Sequence, residues 1–183
     1  GAIREYGTQL RSVLEFVRPE TIIVDVATVK KHTNGLLREL CPNRPYLATH
    51  PMFGPESYRK HNQNVSGFRI VVTESTLPAA TYQALKNALA RLGFLIIEMA
   101  ADEHDHRLAE TLFLTHYVGQ SILRAGFSRT AIDTVSYQFL MDAVESVKED
   151  RALFADVYRF NPYCQDVATR LHAAQQAVYS ELE

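Results

Sequence analysis

The chain has 183 residues, with 19 lysines and arginines against 21 aspartates and glutamates, a formal net charge of −2, and 46% hydrophobic residues. That balance supports one large or two small folded units with a real core, and it offers no basic patch to nucleic acid or an anionic membrane. No apolar run approaches the roughly 20 residues that span a bilayer and no signal peptide is visible, so a cytoplasmic protein without membrane contact is expected.

Leu10, Val13, Leu14 and Val17 lie at helical spacing, and Pro19 ends that helix. Residues 22–26 form a short, almost wholly apolar run, the pattern of a strand covered on both faces. A helix over 31–40 precedes Pro42, and residues 46–49 read as the next strand. The polar stretch 55–66 is a long loop candidate that would suit a mobile lid beside His50. Residues 68–73 give a third strand. Ser75 or Thr76 then caps a helix with Pro78 in its first turn, Tyr82, Leu85, Leu89 and Leu92 as its buried stripe, and Gly93 just past its end. Residues 94–98 give a fourth strand.

Beyond about residue 100 the strand signals stop. Residues 102–125 read as one long helix with Leu108, Leu112, Thr115, Gly119 and Ile122 on one side. Residues 130–148 carry Ile132, Val135, Phe139, Ala143 and Val147 at helical spacing, and shorter helices follow at about 150–160 and 163–182, separated by Asn161-Pro162. An α/β layer over 1–99 is therefore expected ahead of an all-helical segment over 100–183. Cys41 and Cys164 read as two unpaired thiols in a reducing compartment.

Three groups converge on one sheet edge. The run Asp25-Val26-Ala27-Thr28-Val29-Lys30 leaves a strand and enters a helix, which brings a hydroxyl and an ammonium to the carboxyl edge. The run Thr49-His50-Pro51-Met52-Phe53-Gly54-Pro55 brings an imidazole to the same edge, where it can exchange a proton near neutral pH. Taken singly, each group has a bland reading as a helix cap, a surface lysine or a structural histidine. His104, Asp105, His106 and His116 do not form the i, i+4 pair of a helical zinc site, so no metal is expected.

These blocks resemble the prephenate and arogenate dehydrogenase family of tyrosine biosynthesis. The matching residues are Asp25 to Lys30, Thr49 to Ser57, and Glu103-His104-Asp105 followed by Leu114-Thr115-His116, in the family's order and separation. Tyr137, Val144-Glu145 and the segment 154–161 are similar to the arogenate-preferring, plant-type branch. The resemblance implies the C-terminal part of a Rossmann-type dinucleotide-binding domain over 1–99 and a helical substrate and dimerisation domain over 100–183. It implies oxidative decarboxylation: a ring hydride goes to NAD or NADP, the C4 hydroxyl loses a proton and carbon dioxide leaves. His50 would accept that proton, with Thr28 near the hydroxyl or the nicotinamide. Lys30, His104 and His116 would bind substrate, Asp105 would help shape the domain junction, and Thr28, Pro51 and Met52 would form a partial cofactor site. A homodimer through 100–183 is implied as well.

Two departures stand out. No Gly-x-Gly-x-x-Gly turn occurs, so the chain reads as a truncated form, inactive alone, with an open edge on its first strand. The family's carboxylate-binding arginine is replaced near Val144-Glu145-Ser146, and Arg124, Arg129 and Arg151 all remain candidates. The alternative is a non-catalytic module that binds an aromatic precursor or serves dimerisation. A cofactor-free decarboxylase or dehydratase using His50 as an acid is a third reading.

Overall fold

The computed structural model describes residues 2–183, with Glu56 described by its backbone alone. Gly1, and the Glu56 side chain in the matched block, lie outside the described residues. The chain divides into two compact units, residues 3–105 and 106–183.

The first unit is a four-stranded sheet in the order β1 (Ile23–Asp25), β2 (Tyr46–Pro51), β3 (Arg69–Ser75), β4 (Leu95–Glu98). Strands β1 and β2 run parallel, β2 and β3 antiparallel, β3 and β4 parallel. Helices α1 (Tyr6–Phe16), α2 (Lys30–Leu40), α3 (Pro55–Lys60) and α4 (Ala79–Arg91) complete it. Interior strand β2 organises the packing by its period of two. Tyr46 and Ala48 join Leu10, Leu37 and Cys41 under α1 and α2. Leu47 joins Val72 and Leu77 on the other face, against Tyr82 and Leu85 of α4. This is the α/β remnant expected from the sequence, with a mixed sheet.

Several local expectations are corrected. β1 is not covered on both faces: Val24 and Val26 are more than half exposed. The stretch 55–66 is not all loop, because Pro55 sits at the first turn of α3 and presets its φ. Neither Ser75 nor Thr76 caps α4; Pro78 stands at the N-cap, and the Thr76 hydroxyl instead accepts from the Tyr46 amide at 2.8 Å. Leu92 is exposed. Gly93 does end α4, at φ +94°, where an added Cβ would lie 2.9 Å from Ser66 Cα.

In the second unit the expected long helix is interrupted. Helix α5 (Ala101–Leu108) ends there, a wide π-type turn follows at Ala109–Phe113, and α6 (Leu114–Arg124) continues. The extra residue in that turn advances the buried face, so Phe113, His116, Gly119 and Gln120 point inward while Thr115 is exposed. Helices α7 (Val135–Val147), α8 (Arg151–Phe160) and α9 (Cys164–Glu181) complete the bundle. α7 buries Met141, Val144 and Val147 and leaves Val135 and Phe139 exposed, together with Ile132 ahead of it. α6 and α7 approach closely at Gly119, where an added Cβ would meet Val147 Cγ2 at 2.6 Å. Cys41 and Cys164 are free, buried thiols. No helix among the described residues is long and apolar enough to cross a membrane.

Candidate active site

The parallel pairing of β1 with β2 brings their carboxyl ends side by side, with Asp25 opposite Ala48. His50 is the penultimate residue of β2, on the same alternation as Tyr46 and Ala48, and is 6% exposed. Its partner strand carries a bulge here: Ala48 faces Glu74 and Thr49 faces Val72, so Thr73 is extra. Bulges re-aim side chains beside functional sites. The turn after β1 is pinned to β2 by the Thr49 hydroxyl, which donates to the Asp25 carbonyl at 2.6 Å. Thr28 sits half-buried in that turn.

Behind the edge lies a buried polar chain. His50 Nδ1 is 2.9 Å from His104 Nε2, with the rings edge-on at 75°. His104 Nδ1 is 2.8 Å from Asp105 Oδ1. The same carboxylate accepts the Lys30 and Lys31 backbone N–H groups, each at 2.8 Å, and so caps the N-terminus of α2 from 74 and 75 residues away. His50 Nε2 makes no hydrogen bond within the described residues. Burial, then the neighbouring His104, then Lys30 push the His50 pKa down to about 3, so the ring is neutral at ordinary pH.

Lys30, expected to bind substrate, is sealed instead. It is 0% exposed, and its ammonium donates to the Asp25 carboxylate, to Thr49 O at 2.6 Å and to Ala27 O at 3.2 Å. All three of its protons are taken, and it braces the β1–α2 turn. Burial lowers its pKa, while Asp25 works to raise it. His104 is 3% exposed and lies behind His50. Pro51 is half-buried and Met52 is 40% exposed.

His116 belongs to the second unit. Its Nδ1 donates to Leu112 O at 2.9 Å, which leaves a bare lone pair on Nε2. That nitrogen is buried without a hydrogen-bond partner, and Asp150 Oδ2 lies 3.6 Å away. In the same unit, Phe113, Tyr117, Phe154 and Tyr158 line a cleft of about 420 Å³ that also holds Arg124 and Arg151. The third candidate arginine, Arg129, is held by Asp142 and Glu145 at 2.6 and 2.7 Å. Among the described residues no group of three or more His, Cys, Asp or Glu could hold a metal ion.

Asp105 as the cap of α2, and Asp25 as the counter-ion of Lys30, were missed from sequence. The Asp25–Lys30 pair could have been found from its five-residue spacing across a strand-to-helix turn; nothing local announces the cap.

No family model matches the chain. Arogenate dehydrogenase 2, chloroplastic, of Arabidopsis thaliana is 33% identical over 173 residues, covering 91% of this chain and 48% of that protein. Cyclohexadienyl dehydrogenase of Zymomonas mobilis is 25% identical over 168 residues, covering 85% of this chain and 56% of that protein. In fold, the chain is similar to prephenate dehydrogenase from A. aeolicus, solved with hydroxyphenyl propionate and NAD+. The TM-score is 0.75 at 16% identity, over 100% of this chain and 66% of that one. Synechocystis arogenate dehydrogenase gives a TM-score of 0.65, also at 16% identity, over 98% and 69%. An α/β sheet that presents a buried histidine at its carboxyl edge, joined to a helical unit, is thus the fold of a class of dehydrogenases. In sequence the chain resembles the prephenate and arogenate dehydrogenase family over most of its own length. It spans about half the length of the curated relatives it matches.

Proposed function

We propose that this chain carries the base-bearing part of an arogenate or prephenate dehydrogenase, with His50 Nε2 accepting the C4 hydroxyl proton during oxidative decarboxylation. One observation carries the reading: a neutral, buried imidazole at the end of β2 whose Nδ1 is engaged and whose Nε2 has no hydrogen-bond partner among the described residues. Thr28 would hold the same hydroxyl or the nicotinamide, with Pro51 and Met52 beside it. The relatives' chemistry uses NAD or NADP, and a bound nicotinamide would take the ring hydride. The residues here fit at most the nicotinamide end. The sequence has no glycine-rich turn, and the N-terminus of α2, an anion-binding element at this edge, is filled by Asp105. No phosphate contact is therefore assigned to it. For His116 the family resemblance suggests substrate contact, and a hydrogen bond accepted by Nε2 is supported by that nitrogen having no hydrogen-bond partner among the described residues. Arg124 and Arg151 are better carboxylate partners than Arg129, whose guanidinium is already bridged.

The decisive assay measures NAD+ and NADP+ reduction by the chain with prephenate and with arogenate. His50→Asn should lower kcat/KM by roughly 10²- to 10⁴-fold. Turnover unaffected by that change would end the reading. The second reading, a module that binds an aromatic precursor without turnover, is favoured by the closed α2 terminus. Calorimetric binding of either compound without reduction of either nucleotide would establish it.

A homodimer through the helical unit is proposed on the exposed Ile132, Val135 and Phe139. Sedimentation at micromolar concentration should give a dimer, and a monomer there would remove the idea. A cytoplasmic location is proposed from composition alone; the Arabidopsis relatives are described as chloroplastic.

A further inference from the structure

We propose that Asp105 and His104 form with His50 a proton relay that holds His50 as the Nδ1–H tautomer, keeps its Nε2 basic, and draws off the positive charge when a proton arrives. This deepens the proposed function and rests on His50 being the proton acceptor. His104 and Asp105 are positioning residues in it.

The tautomers follow from donor and acceptor bookkeeping. Asp105 accepts two backbone N–H groups at a helix N-terminus, one on each carboxylate oxygen. An ionised carboxylate only accepts, so His104 Nδ1, at 2.8 Å, must carry the hydrogen. Neutral His104 then has its lone pair on Nε2. That lone pair faces His50 Nδ1 at 2.9 Å, so His50 Nδ1 must donate. The lone pair of His50 is left on Nε2, the nitrogen without a partner among the described residues. Were His104 an imidazolium instead, it would donate to His50 Nδ1, and His50 would present an N–H rather than a base.

The same order disposes of the proton. The hydroxyl O–H bond breaks and an N–H bond forms at His50 Nε2. The Nδ1 proton of His50 passes to His104 Nε2, and the cation comes to rest on His104, against Asp105. No electrons leave the relay. Burial, then His104 and Lys30, disfavour a cation on His50 itself, and one ring further back the Asp105 carboxylate lies 2.8 Å from His104 Nδ1. A ring held neutral by burial can in this way still act as a proton acceptor.

The test reads tautomers and needs no substrate. Long-range ¹H–¹⁵N correlation spectra of the imidazole-labelled chain, in mildly alkaline buffer, should show His50 with a protonated Nδ1 and a bare Nε2. His104→Leu removes the acceptor and should reverse His50 to the Nε2–H form, which free histidine prefers. His104→Gln, whose amide oxygen can accept, should restore the Nδ1–H form. A wild-type His50 seen as Nε2–H or as imidazolium overturns the relay whether or not the variants fold. So does an Nδ1–H His50 that persists in His104→Leu. The expected tautomers with no turnover of prephenate or arogenate would leave the hydrogen-bond order standing and count against His50 as the proton acceptor.

Discussion

Replacing Lys30 with methionine tests whether the buried ion pair holds the site together. The substitution nearly preserves volume and removes the charge that faces Asp25, whose side chain is only 1% exposed. Asp25 would keep the Ala27 amide at 2.9 Å and the Thr33 hydroxyl at 3.3 Å, but no cation. The carbonyls of Thr49 and Ala27 would lose a donor. Stranding one partner of a buried pair costs about 3–5 kcal/mol. At a urea dependence of roughly 2 kcal/mol per molar, the midpoint of the sheet unit should fall by about 1.5–2.5 M, followed by circular dichroism. Removing both charges, with Asp25→Leu and Lys30→Met together, should recover most of the loss, because a well-packed apolar replacement of a buried pair is often neutral or better. A single variant that loses less than about 1 kcal/mol, or a double variant no more stable than the single, would refute the reasoning.

Gly119→Ala should destabilise the helical unit by about 1–3 kcal/mol, despite alanine's better helix propensity, because its methyl would sit 2.6 Å from Val147 Cγ2. Adding Val147→Ala should raise the melting temperature of that variant; an unchanged melting temperature would show that the two helices shift freely. His50 makes stability pH-dependent. Its pKa is about 3 in the fold against the 6.5 of an unperturbed histidine, so the unfolded chain binds the proton first on acidification. The stability it leaves intact above 6.5 is lost progressively as pH falls toward 3, reaching about 2 kcal/mol near pH ~5. Comparing urea midpoints of wild type and His50→Asn over that range should show wild type losing more on acidification, and parallel curves would contradict the burial argument.

The parts of the fold legible in the sequence were those set by local period and punctuation. The run ending at Thr49-His50-Pro51 gave β2 and its edge, and Gly93 marked the end of α4 because the chain leaves that helix through a positive φ. What stayed illegible depends on distant partners. Residues 22–26 read as a doubly covered strand, yet whether Val24 is covered depends on neighbours that apolarity does not encode. The π-type turn at 109–113 adds one residue to a pattern that still looks 3.6-periodic, so the inward face was assigned to Thr115 instead of His116. Lys30 showed the same ambiguity at the site: a lysine opening a helix at a sheet edge reads as a ligand-binding cation, and only the positions of Asp25 and Thr49 reveal that its hydrogens are spent.

Asp105 ties several parts of this edge together. Its carboxylate closes the N-terminus of α2 and orients His104, which in turn sets His50. A helix N-terminus can hold a phosphate or a side-chain carboxylate, and here the carboxylate has it. An anion arriving at Lys30 N–H would have to displace Asp105, and His104 would lose the acceptor that fixes its tautomer. Anion binding at α2 and a competent base at His50 therefore exclude each other. The helix dipole at this edge supports the relay, and any nucleotide phosphate that works with His50 must be held by other backbone.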